Sequence, residues 1–138
     1  MDEWTQFDVA AVREAMPTDM AVLYSSWLDA NPTKSTRLAG IVAEILARFR
    51  ATVGTVPDLV MDAAIDTIPT SGFRHALNLA IFTLGMEMGV EFAPEVSGPV
   101  NRADVWLRMV ASGAVKPVGM AAAGTPSYVA REVGERAI

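Results

Sequence analysis

The chain has 138 residues, no cysteine, one histidine and a formal net charge of −5. That length suits one domain with a core of its own. The missing cysteine excludes disulfide frameworks, thiolate nucleophiles and cysteine-built zinc sites, and the acidic balance, with a pI near 4.7, argues against gripping nucleic-acid phosphates through a broad basic surface. A hydrophobic share of 51% leaves apolar surface that is expected to meet other chains.

The start, MDEWTQFD, is acidic and lacks the basic residues and apolar run of a signal peptide, so secretion by that route is not expected. Asp8 reads as the N-cap of a short helix over 9–15, with Phe7 placed to staple onto Val12. Pro17 opens a second helix to about Leu28, in which Met20, Leu23, Tyr24, Trp27 and Leu28 form one stripe, and Asn31-Pro32 ends it.

A third helix, from Lys34 or Ser35 to Thr52, is the clearest amphipathic element. Leu38, Ile41, Val42, Ile45, Leu46, Phe49 and Val53 share a face. Its other side carries Gly40, Ala43, Ala47 and Ala51, flanked by Glu44, Arg48 and Arg50. Two readings stay open for this smooth ridge: alanine favouring helix on an exposed face, or a surface on which another helix packs closely. In the second, Gly40, Ala43 and Ala47 are subunit-interface candidates.

Residues 54–71 fit a short helix or an extended loop between Pro57 and Pro69. As a helix the segment sets Asp58, Asp62 and Asp66 in a row at i, i+4 and i+8. A hard-cation loop needs closer ligand spacing and turn glycines, so the three read as a solvated acidic face.

Phe73 to Gly89 is the longest nearly unbroken apolar stretch. Phe73, Leu77, Ala80, Ile81, Leu84 and Met88 make a core face; His75, Leu79, Phe82 and Met86 make a second, mostly apolar one, leaving Arg74, Asn78, Gly85 and Gly89 as a polar or small stripe. At about 25 Å and with Arg74 and Glu87 inside it, this helix is expected to be the middle of a bundle or assembly rather than a membrane span. Leu79, Phe82 and Met86 are further interface candidates.

After a turn-rich connector, Pro99 begins a last helix to Ser112, stopped by Gly113. Val100, Ala103, Trp106, Leu107 and Val110 are expected to bury, with Arg102, Asp104, Arg108 and Ser112 outward. From Val118 the pattern dissolves into GMAAAGTPSYVAREVGERAI, an extended arm whose Tyr128, Val129, Arg131 and Glu132 could dock on a neighbour. The expectation is an all-α bundle of four to five helices over 1–117 with an extended C-terminal arm over 118–138.

Little here suggests chemistry. His75 has no sequence-near partner to tune it as a base and reads as structural; no phosphate-binding glycine loop or nucleophile elbow occurs. No cofactor and no enzymatic activity are expected. The methionines and Trp4, Trp27 and Trp106 read as core fillers and packing anchors.

The order of elements resembles the head-tail adaptor (connector) proteins of long-tailed bacteriophages, including Mu-like head-completion proteins, over roughly residues 5–117. The resemblance is carried by TQFDVAAVREAM, RLAGIVAEILARFRATVG, DTIPTSGFRHALNLAIFTL and NRADVWLRMVASGAVKP; SYVAREVG is similar to a box near the C-terminus of some relatives. The segment DLVMDAAIDTI departs from the pattern, being longer and more apolar than a typical loop there. The resemblance implies a homo-oligomeric ring, usually of twelve copies, at the neck of the virion. Made in the host cytoplasm, it would bind the portal protein, dock a stopper or tail-completion protein and let DNA pass without sequence-specific binding. Asp58, Asp62 and Asp66 would then face solvent or the channel. The rival from another class is a helical oligomeric regulatory or scaffold module.

Overall fold

The computed structural model describes residues 3–90 and 98–118; the arm candidates Tyr128, Val129, Arg131 and Glu132 lie outside them. The elements in order are β1 (Trp4–Gln6), α1 (Val9–Ala15), α2 (Thr18–Ala30), a 3-10 turn at Pro32–Lys34, α3 (Arg37–Val53), β2 (Thr67–Pro69), α4 (Thr70–Glu87) and α5 (Gly98–Ser112). The fold is a small helical bundle, as the periodicity implies.

Asp8 caps α1, its Oδ1 accepting from the Ala11 amide at 2.9 Å. That satisfies one of the amides a helix start leaves unpaired. On α3, Leu38, Ile41, Val42, Ile45, Phe49 and Val53 are buried at helical spacing, and on α5 Ala103, Trp106, Leu107 and Val110 are. Phe49 stacks on Trp106, ring centroids 5.5 Å apart, which binds α3 to α5. Burying such a side chain contributes about 1.5–3 kcal/mol.

The two-stranded antiparallel sheet was not foreseen. Trp4 pairs with Pro69, Thr5 with Ile68 and Gln6 with Thr67; the amides of Phe7 and Thr70 continue the ladder to the carbonyls of Asp66 and Glu3, at 2.8 and 2.9 Å. Each strand is three residues long, too short for an alternating pattern to register. The sheet seats Phe7, which is fully buried and meets Phe73 edge-on at 6.4 Å.

Two faces also differ from expectation. In α4 Leu77, Ala80 and Leu84 of the expected core face are buried, but its Phe73, Ile81 and Met88 are half-buried, and Gly72, Ala76, Leu79 and Gly85 are buried instead; Phe82 is half-buried and Met86 is 58% exposed. Small residues go inside because α5 crosses α4 closely. A Cβ on Gly72 would sit 2.6 Å from the Trp106 ring. In α2 only Tyr24 is buried; Met20, Trp27 and Leu28 are half-buried, and Leu23, expected on the inner stripe, is 51% exposed.

Glycines close two helices. At the end of α4, Gly89 takes φ 82°, its amide bonding the Met86 carbonyl at 3.1 Å and the Val90 amide the Gly85 carbonyl at 2.9 Å. That is the paired arrangement of a Schellman cap. Gly113, at φ 84°, ends α5 in the same backbone region.

Candidate interaction surfaces

Of the two forms expected for it, the segment 54–66 is loop and not helix, and it is tied down. Arg50, on α3, holds it from one side: Nη1 donates to the carbonyls of Thr67 (2.6 Å) and Ala64 (3.1 Å), and Nη2 to that of Asp62 (2.9 Å). The same guanidinium lies 5.7 Å from the Trp4 ring centre. Thr67 Oγ1 donates to the Asp62 carboxylate at 2.5 Å, and the Asp66 carboxylate accepts from Gln6 Nε2 at 3.0 Å. A planar cation with several donors is suited to gathering carbonyls in this way.

The row of acids at i, i+4 and i+8 therefore does not form. Asp58 is exposed in the left-handed region at φ 65°, whereas Asp62 and Asp66 are half-buried and accept hydrogen bonds from the two strands, Asp62 from Thr67 of β2 and Asp66 from Gln6 of β1. Among the described residues no three His, Asp or Glu side chains come together as metal ligands. On this fixed backbone two apolar side chains point to solvent, Val60 at 85% and Ile65 at 79% exposure.

An open groove of about 350 Å³ lies where α5 passes the start of α4, lined by His75, Asn101, Arg102, Val105, Trp106, Met109 and Val115. Trp106 is pinned between Phe49 and Gly72 and supplies its floor; Val105 and Met109 are exposed along the wall. Burial and the neighbouring Arg102 charge hold the His75 imidazole below the usual histidine range, so it is neutral at pH 7. Its ring lies 6.3 Å from that of Trp106. Among the described residues the lining holds no carboxylate or hydroxyl that could serve the imidazole as an adjacent acid or nucleophile.

The chain leaves α5 beside this groove. Val115 belongs to the lining, and Pro117, fully buried, accepts at its carbonyl from Ser71 Oγ at 2.7 Å.

Of the proposed interface positions on α3, Ala43 and Ala47 are exposed and Gly40 is half-buried. No element of the described bundle covers Ala43 or Ala47. On α4, Leu79 is buried, Phe82 half-buried and Met86 exposed, so one residue of that trio, Leu79, belongs to the core. The groove and the Arg50 anchorage were missed by sequence reasoning. The sole local signal was that Val60 and Ile65 are aliphatics in a proline-bracketed segment without helical register.

No described helix is long and apolar enough to cross a membrane. Comparison with protein-family models, curated proteins and solved structures gives no match.

Proposed function

We propose that this chain is a structural subunit of a phage head-tail adaptor ring, placed below the portal to extend the DNA channel and dock a stopper or tail-completion protein. The reading starts from the resemblance in the order of sequence elements. The observation that carries it is apolar surface left open at separate places on one small bundle: Val22 and Leu23 on α2, Val60 and Ile65 on the loop, Met86 at the end of α4, and Val105 and Met109 on α5. Single exposed apolar side chains are ordinary on a monomer, but the grouped ones, Val22 with Leu23 and Val105 with Met109, are surface that a ring subunit can turn to neighbours on two flanks and to other proteins above and below. The acidic net charge of −5 suits a wall past which DNA slides.

The experiment is a mass measurement of the purified protein, followed by binding to portal-bearing heads. A closed oligomer that attaches to heads supports the reading. A protein that stays monomeric and ignores heads overturns it, and an oligomer without attachment favours the regulatory or scaffold module instead.

A further inference from the structure

We infer that the loop 54–66 of one copy seats Val60 and Ile65 in the α4–α5 groove of the next, a head-to-tail contact between copies that rests on the reading of the chain as an oligomer subunit.

Both halves of the contact are present on the single chain. The loop offers two exposed aliphatic side chains on a backbone that Arg50 already holds through the carbonyls of Asp62 and Ala64, with a third bond to Thr67 at the start of β2. Ordering lost on binding is a main cost of association, and a loop fixed beforehand avoids most of it. The groove offers Val105, Trp106, Met109 and Val115 as an apolar lining of about 350 Å³, within the size range that buries a ligand.

Charge matches the same way. Residues 54–66 carry Asp58, Asp62 and Asp66 and no Lys or Arg. The groove carries Arg102, and Lys116 is exposed next to Val115. Among the described residues the ion pairs are Arg37 with Glu87 and Arg48 with Asp104, so Arg102 is in neither. Asp58 is the exposed acid, Asp62 and Asp66 being half-buried on Thr67 and Gln6 with Arg50 beside the segment, so a net-acidic loop with aliphatic tips faces an apolar groove with a basic lip, the complementarity that steers and registers an interface.

The loop cannot fill its own groove. Arg48 and Thr52 line a separate cleft with Asp104, Leu107, Arg108 and Ala111, which places α5 on that side of α3. Arg50 is two residues from Arg48, about 200° round the helix, and faces Trp4 and the loop. The groove residues Arg102, Val105 and Met109 lie on the side of α5 turned from that cleft. Knob and groove being different surfaces, the contact is heterologous, and repetition closes a ring or runs on as a filament.

The absence of native cysteine allows a clean test on the full-length chain. Ile65→Cys and Val105→Cys are made singly and together and treated with a short bis-maleimide. The expected result is a crosslinked dimer when the two single variants are mixed, absent from either alone, and a ladder of oligomers from the double variant. Crosslinks within either single variant alone, or none at all, overturn the inference. So does efficient crosslinking of Val105→Cys to Tyr128→Cys in place of Ile65→Cys, which would give the groove to the chain's own C-terminal segment. The ladder separates this contact from the ring reading: one that stops at a fixed size supports both, one without limit supports the contact and removes the ring, and assembly without the crosslink removes the contact and keeps the ring. As a second measurement, Ile65→Asp should weaken self-association at least tenfold with an unchanged circular dichroism spectrum; unchanged association overturns the inference.

Discussion

The guanidinium of Arg50 donates to the main-chain carbonyl of Thr67 at 2.6 Å, joining the last turns of α3 to the strand that leads into α4. The carbonyls of Ala64 and Asp62 accept from the same group, so one side chain fixes a segment with no regular structure of its own. Removing it strands part-buried acceptors, which costs more than the hydrogen bonds themselves contribute. Arg50→Met, which keeps the aliphatic stem, should destabilise the fold by about 1–3 kcal/mol. Arg50→Lys should recover only part of that, because a compact ammonium cannot span the three carbonyls. Urea denaturation of the three proteins checks both statements. Equal stability of Arg50→Met and the parent would show the loop to be held by other means.

Gly72 is required by Trp106. Alanine ordinarily stabilises a helix over glycine by roughly 0.5–1 kcal/mol, but here its Cβ would lie 2.6 to 2.9 Å from three atoms of the indole. The ring cannot swing away, since it stacks on Phe49 at 5.5 Å. Overpacking of this kind costs about 1–3 kcal/mol, so the steric term wins and Gly72→Ala destabilises. In Trp106→Phe the same glycine substitution should cost much less. A double-mutant cycle by chemical denaturation measures the difference, and additive effects would refute the clash.

The helices and most of their inner faces were legible because bulky residues recur at helical spacing in α3 and α5, and because Asp8, Pro99 and Gly113 mark ends. The core of α4 was read less well. A wheel weighted by side-chain bulk finds Leu77, Ala80 and Leu84, but it also favours Phe73 and Ile81, which are half-buried, and passes over Gly72 and Ala76, which are buried because α5 approaches where side chains are smallest. In α3 the opposite holds, and Ala43 and Ala47 are exposed. Small residues at helical spacing thus mark close approach in one helix and open surface in another, and only the position of the neighbour decides. The groove was illegible for a related reason. Its lining comes from α4, α5 and the residues after α5, and no spacing along the chain announces that convergence.

Ala43 therefore separates folding from assembly. Exposed helical sites tolerate substitution within about 0.5 kcal/mol, so Ala43→Glu should leave thermal melting nearly unchanged. Under the proposed ring, a charge placed on the smooth ridge should weaken association with whatever packs there. Melting by circular dichroism beside a mass measurement of the assembly tests both; a large loss of melting temperature would mean that the bundle itself needs the alanine.

The ends of α3 and α4 are joined by Arg37 and Glu87, and this pair sets an acid limit to stability. Arg37 Nε donates to the two carboxylate oxygens at 2.6 and 2.8 Å, and Nη2 adds a third bond at 2.5 Å. Each residue sits at the helix end that the backbone dipole disfavours, the cation in the first turn of α3 and the anion in the last of α4; together they offset one another. Hydrogen bonding from Arg37 holds the Glu87 carboxyl below its ordinary range. A carboxylate with a depressed folded-state pKa binds fewer protons folded than unfolded, so its contribution is complete above the ordinary range near 4.5 and is lost as pH falls through the folded value. His75 acts in the same direction in a higher window. Its folded pKa is also depressed, by burial first and the Arg102 charge second, so its contribution is complete above the ordinary value of 6.5 and declines as pH falls below it. The expected curve loses stability in two stages on acidification. His75→Gln should flatten the upper stage and leave the lower; Glu87→Gln should do the reverse, with little effect at neutral pH because both partners of its pair are partly exposed. Denaturant midpoints of the three proteins measured between pH 7.5 and 3.5 give the comparison, as roughly the range spanning both ordinary pKa values, and parallel curves for parent and His75→Gln would remove the histidine from the account.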